Sequence, residues 1–153
     1  MRDSKSLIRA AIIAALYVIL IWLLAPVSFG PIQFRVAEAL TLLPMLYPEA
    51  IPGLYIGVLL GNLLGGLGLW DIFGGSLVTL LAAYVTWRYR RKPIIAYLSP
   101  VVFNAFLISI YLHYIYTLPY WYMVFSIGAS EAVVVFLLGV PLVKLLKNMG
   151  VRD

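Results

Sequence analysis

The chain has 153 residues, of which 64% are hydrophobic and only 11% are charged. Soluble domains are about 45–50% apolar and about 25% charged, so this composition excludes an ordinary soluble domain and indicates an integral membrane protein. The net charge of +5 predicts no nucleic-acid partner, and the absence of cysteine excludes disulfides and thiolate metal sites.

Six apolar segments follow one another along the chain. We place membrane spans at about 7–25, 33–46, 51–64, 71–87, 94–116 and 120–146, within one domain that covers residues 1–153. The first segment is too long for a signal-peptide core and lacks a small-x-small cleavage site, so we interpret it as a span. The second and third are short for a bilayer. The sequence therefore predicts an all-α integral membrane protein, a bundle of six transmembrane helices.

The basic residues predict the orientation of these spans. They form three clusters: Arg2, Lys5 and Arg9; Arg88, Arg90, Arg91 and Lys92; and Lys144, Lys147 and Arg152. Lysine and arginine beside spans favour the cytoplasm, and even numbers of crossings separate the clusters, so both termini are expected to be cytoplasmic. The outer loops are instead rich in aromatic residues, most of which we assign to an interfacial belt.

Small residues recur at helical spacing in two spans. The third span carries Gly53, Gly57, Gly61 and Gly65, and the first carries Ala10, Ala11, Ala14 and Ala15. Both patterns permit close approach of a neighbouring helix. We expect the glycines to pack within the bundle, whereas the alanines could pack internally or dock on a partner protein.

Ionisable side chains at membrane depth are costly unless they are paired or hydrated, so each is a candidate functional residue. The predicted topology places Arg35, Glu38, Asp71 and His113 toward the outer side and Glu131 near mid-depth, while Glu49 falls at a cytoplasmic turn. Asn62 and Asn104 add amide groups that are not expected to face lipid. These residues predict one polar cavity in the outer half of the bundle, although a structural hydrogen-bond network would give the same pattern. Arg35 and Glu38 share a helix face and either form an internal ion pair or line the cavity together.

No enzymatic site is predicted. Ser109 and His113 lie on the same helix without an orienting acid, and the single histidine cannot form the cluster that a metal site requires. The chain also lacks a nucleotide-binding motif, so it cannot couple ATP hydrolysis to movement by itself. We expect no cofactor, and a binding or transport protein remains.

Several motifs resemble those of the QueT family. The most specific is the block Gln-Phe-Arg-x-x-Glu-Ala-Leu, which lies within residues 32–44. Similar blocks occur at 50–55, 61–65, 71–77, 100–105 and 128–134, so the resemblance extends over almost the whole chain. It implies the substrate-binding (S) component of an energy-coupling factor (ECF) importer, an ABC-type transporter, in a prokaryotic plasma membrane.

The resemblance also implies a ligand and protein partners. The ligand would be a 7-deazaguanine precursor of queuosine, either queuine or the 7-cyano or 7-aminomethyl base, captured from outside the cell. The partners would be a transmembrane coupling subunit and two ATPase subunits. Ala10 and Ala14, together with Ala11 and Ala15, resemble the surface on which S components dock.

The residue types suit such a ligand. A guanine edge has two adjacent N–H donors for one carboxylate, and a ring carbonyl that accepts from arginine or an amide. We expect Glu38 or Glu131 to bind this edge, Asp71 or the other glutamate to meet an amine, and Asn62 and Asn104 to complete the polar contacts. Arg35 either holds Glu38 ionised or donates to the carbonyl, and Trp70, Phe34 or Tyr111 could stack on the ring.

Three alternatives remain open. The chain could be an S component for another vitamin-like ligand, or a stand-alone carrier that relays ions or protons through Glu131, Asp71 and His113. It could also be an assembly subunit in which the buried charges only pair with one another.

Overall fold

The computed structural model describes residues 2–29, 34–66 and 68–150, with side chains from residue 4 onward. Regular structure in the described residues is entirely helical, which confirms the predicted all-α class. We number the helices α1 (Arg2–Leu23), α2 (Ala25–Ser28), α3 (Val36–Met45), α4 (Ala50–Leu64), α5 (70–88), α6 (Pro93–Tyr116) and α7 (Tyr120–Asn148). α2 is a single turn of four residues, and the other six helices have ten residues or more.

The six long helices correspond to the six predicted segments within a few residues. α1 begins earlier than expected, at Arg2, and ends at Leu23 just before the turn that contains Pro26. Residue 33, where the second predicted span begins, and Arg152 of the last basic cluster lie outside the described residues. Among those described, α1, α6 and α7 have the length and apolar composition of membrane spans, while α3 and α4 are apolar but shorter. The chain is therefore a helical membrane protein.

The short α3 differs from the other helices because it is a 3-10 helix with Pro44 inside it. A 3-10 helix rises about 2.0 Å per residue, compared with 1.5 Å in an α-helix, so its ten residues extend about 20 Å. Every residue from Ala37 to Met45 is buried, which places α3 at the centre of the bundle. A segment that looked too short for a span is thus stretched and enclosed by other helices.

The glycines of α4 pack against α1, as predicted. A Cβ atom added to Gly53 would lie 2.7 Å from the backbone oxygen of Ala10, and one added to Gly57 would lie 2.9 Å from the Cβ of Tyr17. Gly61, farther along α4, meets the side chain of Ile21. Later glycines meet later residues of α1, so the two helices run parallel and in very close contact.

Three long helices contain a π-helical segment, which forms the beginning of α5 and lies inside α6 and α7. The segments are Trp70–Gly75 in α5, Asn104–Ile108 in α6 and Val135–Gly139 in α7. Asp71 and Asn104 lie inside two of these segments, and Glu131 lies about one turn before the third. Such π segments are frequent at functional sites because the extra residue redirects side chains.

At the end of the bundle where α4 begins, apolar packing and one ion pair connect the helices. Arg9 of α1 approaches Glu49, which precedes α4, at 3.0 Å, and the Arg9 guanidinium lies 4.8 Å from the ring centre of Tyr47. Leu142 and Leu146 of α7 pack against the apolar cluster in which α1, α3 and α4 meet.

Candidate functional site

Glu38 is the centre of a buried polar cluster. It lies in the first turn of α3 and is only 2% exposed. The Tyr17 hydroxyl of α1 donates a hydrogen bond to its Oε1 atom, and the Asn104 amide of α6 donates to Oε2 at 3.5 Å. The Thr41 hydroxyl donates to the Glu38 backbone carbonyl at 2.6 Å, which supports the beginning of α3. Three helices therefore converge on one carboxylate.

A small cavity adjoins this cluster. Its lining comes from α3, α6 and α7 together with the residue before α3, and consists of Arg35, Glu38, Asn104, Ile108, Ile127, Ser130 and Glu131. Its volume is about 10 Å³, room for about one water molecule. Four of the predicted polar residues thus meet at one place, in a contracted cavity.

Three buried polar atoms at this cavity have no hydrogen-bond partner among the described residues. They are Nη2 of Arg35, Oδ1 of Asn104 and Oε1 of Glu131. The Asn104 orientation follows from its neighbour, because a carboxylate accepts hydrogen bonds and the amide must turn its nitrogen toward Glu38. The cavity therefore offers one donor and two acceptors. Leaving each of these atoms unpaired costs about 1–3 kcal/mol in a typical protein interior.

Arg35 does not form the ion pair with Glu38 that its spacing allowed. Among the described residues it makes no ion pair. Its Nε atom donates to the Ser28 carbonyl oxygen at 3.3 Å, and its guanidinium lies 5.9 Å from the ring centre of Phe29. Arg35 is nevertheless within electrostatic reach of both Glu38 and Asp71. The Nε edge of the guanidinium is therefore fixed by the backbone, while Nη2 remains available to donate a hydrogen bond.

A second polar cluster joins α4, α5 and α6. The Asn62 amide donates to the backbone oxygen of Asp71 at 2.6 Å, and the Tyr111 hydroxyl donates to the Asp71 carboxylate at 3.1 Å. Oδ1 of Asn62 is buried without a partner among the described residues. Gly75 makes room for this arrangement, because a Cβ atom there would lie 3.0 Å from the Asn62 amide nitrogen.

The other predicted binding residues lie away from the Glu38 cavity. Trp70 is 69% exposed and borders an outer groove of about 290 Å³ with Tyr111, Tyr114 and two isoleucines of α6. Phe34 is also exposed. His113 contacts the Leu118 carbonyl oxygen in the turn before α7. Tyr111 is the aromatic residue that reaches from the outer groove to a buried carboxylate.

The four alanines of α1 divide between two environments. Ala14 is buried and Ala10 is half-buried, and both approach the glycines of α4. Ala11 and Ala15 are exposed. All four border an apolar groove on the outside of α1 and α4. Internal packing therefore accounts for half of the pattern, and the other half remains an open surface.

Two contributors to the site were not predicted from the sequence. Tyr17 anchors the Glu38 carboxylate, and Ser130 lines the cavity beside Glu131. A signal for Tyr17 existed, because its side chain bears the sole hydroxyl in the apolar run 10–23. No such signal marked Ser130, whose neighbours in sequence gave no indication of which face of α7 would be buried.

The fold and the site together define a helical membrane protein with acidic, amide and guanidinium groups around an interior cavity. The family model described as QueT transporter matches residues 7–148, and the chain belongs to this transporter family. A transporter family agrees with the expectation that the chain is not an enzyme.

One relative shows what kind of transporter the family includes. The chain is 39% identical over 85 residues to the queuosine precursor transporter QueT of Lactococcus lactis subsp. cremoris (strain MG1363). The match covers 53% of this chain and 50% of the relative, so the chain spans about half the length of that protein. No solved structure matches the chain.

Proposed function

We propose that the chain is the substrate-binding component of an ECF-type importer and binds a 7-deazaguanine precursor of queuosine in the Glu38 cavity. Its membership of the QueT transporter family and its similarity to the Lactococcus lactis queuosine precursor transporter support transport of such a precursor. The polar groups of the cavity support recognition of the purine-like edge of the ligand.

The observation that carries the proposal is the match between unpaired atoms and a guanine edge. The edge has two neighbouring N–H donors and one carbonyl acceptor, while the cavity has two unpaired acceptors and one unpaired donor. Oε1 of Glu131 and Oδ1 of Asn104 would accept from the ligand, and Nη2 of Arg35 would donate to its carbonyl. Ligand N–H groups between Glu131 and Glu38 would also reduce the repulsion of two neighbouring carboxylates.

The second polar cluster is suited to the substituent at position 7. The Asp71 carboxylate and the unpaired Oδ1 of Asn62 are both acceptors. They lie close together in the bundle interior, where α4 contacts α5. An amine there would gain a charge-assisted hydrogen bond. A nitrile has no proton to donate, so this cluster favours the 7-aminomethyl base or queuine over the 7-cyano base.

A fused two-ring base is much larger than the 10 Å³ cavity, so binding requires α3, α6 and α7 to separate. The π segments of α6 and α7 flank the cavity, and they are places where a helix can change its hydrogen-bond register. Binding by this chain would therefore be coupled to a local expansion of the bundle, which the ligand contacts must offset.

The proposed topology has six crossings with both termini in the cytoplasm. The sequence of the chain has no nucleotide-binding motif, so energy would come from a coupling subunit and two ATPases. The exposed side of Ala11 and Ala15, continuous with the groove beside Ile56 and Leu60, is where the coupling subunit would pack.

Ligand binding can be tested on the purified chain in lipid nanodiscs. The thermal unfolding midpoint should rise with 7-aminomethyl-7-deazaguanine or queuine and stay unchanged with riboflavin, thiamine or biotin, because a ligand stabilises the state that it binds. A rise with one of the vitamins and none with the deazaguanines would instead support an S component of different specificity.

The importer role needs a separate measurement. Uptake of the radiolabelled base into cells that express the chain should depend on co-expressed ECF coupling and ATPase subunits. Full uptake without them would support a stand-alone carrier and contradict the proposed role. An Ala11→Leu/Ala15→Leu variant should bind the base normally but lose association with the coupling subunit.

A further inference from the structure

Tyr17 of α1 forms a hydrogen bond with Glu38, although it is not among the residues that line the Glu38 cavity. Its side chain is 0% exposed, and its hydroxyl donates to Oε1 of Glu38. We propose that Tyr17 is a positioning residue that fixes the Glu38 carboxylate, and that it makes this geometry depend on how closely α1 packs against α4. The inference rests on the proposed binding site and goes beyond it by adding a residue and a helix contact that control it.

Tyr17 is the stronger of the two side-chain anchors on Glu38. The other anchor, from the Asn104 amide, is 3.5 Å long, which is at the outer limit for a hydrogen bond. A glutamate side chain has three rotatable bonds, and a hydrogen bond from a hydroxyl to a carboxylate is charge-assisted. Without the Tyr17 hydroxyl, the Glu38 carboxylate would be free to turn toward Arg35 and alter the cavity.

The position of Tyr17 is set by the closest contact between α1 and α4. A Cβ atom added to Gly57 would lie 2.9 Å from the Tyr17 Cβ and 3.2 Å from the Ala14 Cα. These are atoms of the α1 core that cannot rotate away, so a methyl group at Gly57 would push the helix itself. Displacing α1 would move the Tyr17 hydroxyl relative to Glu38, which belongs to α3.

The next glycine of α4 provides a matched control. A Cβ atom added to Gly61 would lie 3.3 Å from Cδ1 of Ile21, the far end of a flexible side chain. Only the end of the Ile21 side chain would need to move, by a few tenths of an ångström, and the backbone could stay in place. The Gly57→Ala and Gly61→Ala variants therefore add the same methyl group to the same interface, but they differ in whether Tyr17 must move.

The first experiment measures binding of 7-aminomethyl-7-deazaguanine by calorimetry to the full chain in nanodiscs. Tyr17→Phe should weaken binding about tenfold, the loss expected for one hydrogen bond to a charged group. Gly57→Ala should weaken it similarly, and the double variant should be no weaker than Gly57→Ala alone, because both act through one contact. Gly61→Ala should bind like the wild type.

Tyr97→Phe controls for the loss of a hydroxyl, since Tyr97 is half-buried against Phe136 away from the cavity. It should bind like the wild type. Wild-type affinity in Tyr17→Phe would overturn the inference, because a residue that only fills the core keeps its packing as phenylalanine. If the losses of affinity in Tyr17→Phe and Gly57→Ala multiply in the double variant, the two residues act independently. That result would contradict the proposed dependence of Tyr17 on the contact with α4.

A second experiment needs no ligand. Tyr17→Phe should lower the thermal unfolding midpoint of the wild-type chain by a few degrees, but should have no effect in a Glu38→Met background, where no acceptor remains. An equal decrease in both backgrounds would show that Tyr17 does not hold Glu38. If the wild type fails to bind the probe, the proposed ligand is wrong, while this thermal cycle still decides whether Tyr17 positions Glu38.

Discussion

The two halves of α3 have opposite character although they belong to one short buried helix. The first half carries Glu38 and Thr41 and faces a cavity with unpaired polar atoms. The second half carries Leu42 and Met45, which pack with Leu46 just after the helix and with Val135 and Val143 of α7 in an apolar cluster. One half keeps unsatisfied hydrogen-bonding capacity, and the other half keeps none.

The difference separates stability from function within the helix. Apolar packing is favourable in the absence of any ligand, since every buried contact contributes dispersion and area burial. Unpaired buried acceptors and donors are unfavourable, and one reason for a structure to retain them is that another molecule pairs with them. Variants in the apolar half should therefore change stability more than affinity, and variants in the polar half should do the reverse.

The largest effect is expected for Leu42→Ala in the apolar half. Leu42 is fully buried against Gly139 of α7, and its truncation should destabilise the fold by about 2–5 kcal/mol through lost packing and a new cavity. Thermal unfolding in detergent measures this effect. Leu137→Ala, at a side chain that is 67% exposed, is the control and should change the midpoint little. A comparable loss in both variants would show that the apolar half is loosely packed.

Among variants at the cavity that the polar half of α3 faces, Glu131→Gln should cause the largest loss of affinity. The amide keeps one acceptor but loses the charge and places an N–H donor where the ligand also donates, so affinity for 7-aminomethyl-7-deazaguanine should fall about 10–100-fold. Calorimetry measures the affinity. The unfolding midpoint without ligand should stay the same or rise, because a buried carboxyl beside Glu38 is replaced by a neutral amide.

Glu49→Gln is the matched control for the loss of a carboxylate. Glu49 pairs with Arg9 at 3.0 Å beyond the apolar half of α3 and does not line the cavity. Its affinity should equal that of the wild type. Equal losses in Glu49→Gln and Glu131→Gln would mean that net charge, and not contact with the ligand, governs binding.

Asp71→Asn should weaken binding of the 7-aminomethyl base selectively. The variant keeps an oxygen that can accept from Tyr111, but it loses the charge proposed to meet the amine. The ratio of the affinities for the 7-aminomethyl and 7-cyano bases should fall about tenfold, with little change for the 7-cyano base. Tyr111→Phe is the control that perturbs the same hydrogen bond without removing the charge. A preserved ratio in Asp71→Asn would place the amine elsewhere.

The sequence predicted the positions of the long helices and the burial of several polar residues, because both follow from strong local signals. Apolar runs bounded by proline, glycine and basic residues located every long helix, and the rarity of charges in those runs singled out Glu38, Asp71 and Glu131. The four-residue spacing of Gly53 and Gly57 predicted a close helix contact. These predictions require no knowledge of how distant helices are arranged.

What the sequence could not predict depends on arrangement in three dimensions. The i, i+3 spacing of Arg35 and Glu38 allowed an ion pair, but the guanidinium instead donates a hydrogen bond to the Ser28 carbonyl oxygen. The aromatic residue Trp70 suited a planar ligand by type, yet its side chain lies on the outer surface. Tyr17 joined the site because α1 packs beside α3, and no property of its own neighbours in the sequence indicates that Glu38 will be opposite.

The smallest effect, and the finest test of the comparison, is expected for Ser109→Ala. The Ser109 hydroxyl is fully buried and has no partner among the described residues, but it does not line the Glu38 cavity. Its removal should therefore leave affinity unchanged and raise the stability of the fold by about 1 kcal/mol or less. Ser99→Ala is the matched control, since its hydroxyl donates to the Ala82 carbonyl at 2.9 Å and its loss should lower stability by about 1 kcal/mol. A loss of affinity in Ser109→Ala would extend the ligand-binding region beyond the cavity, because an unpaired atom that affects binding must be within reach of the ligand or of its immediate contacts.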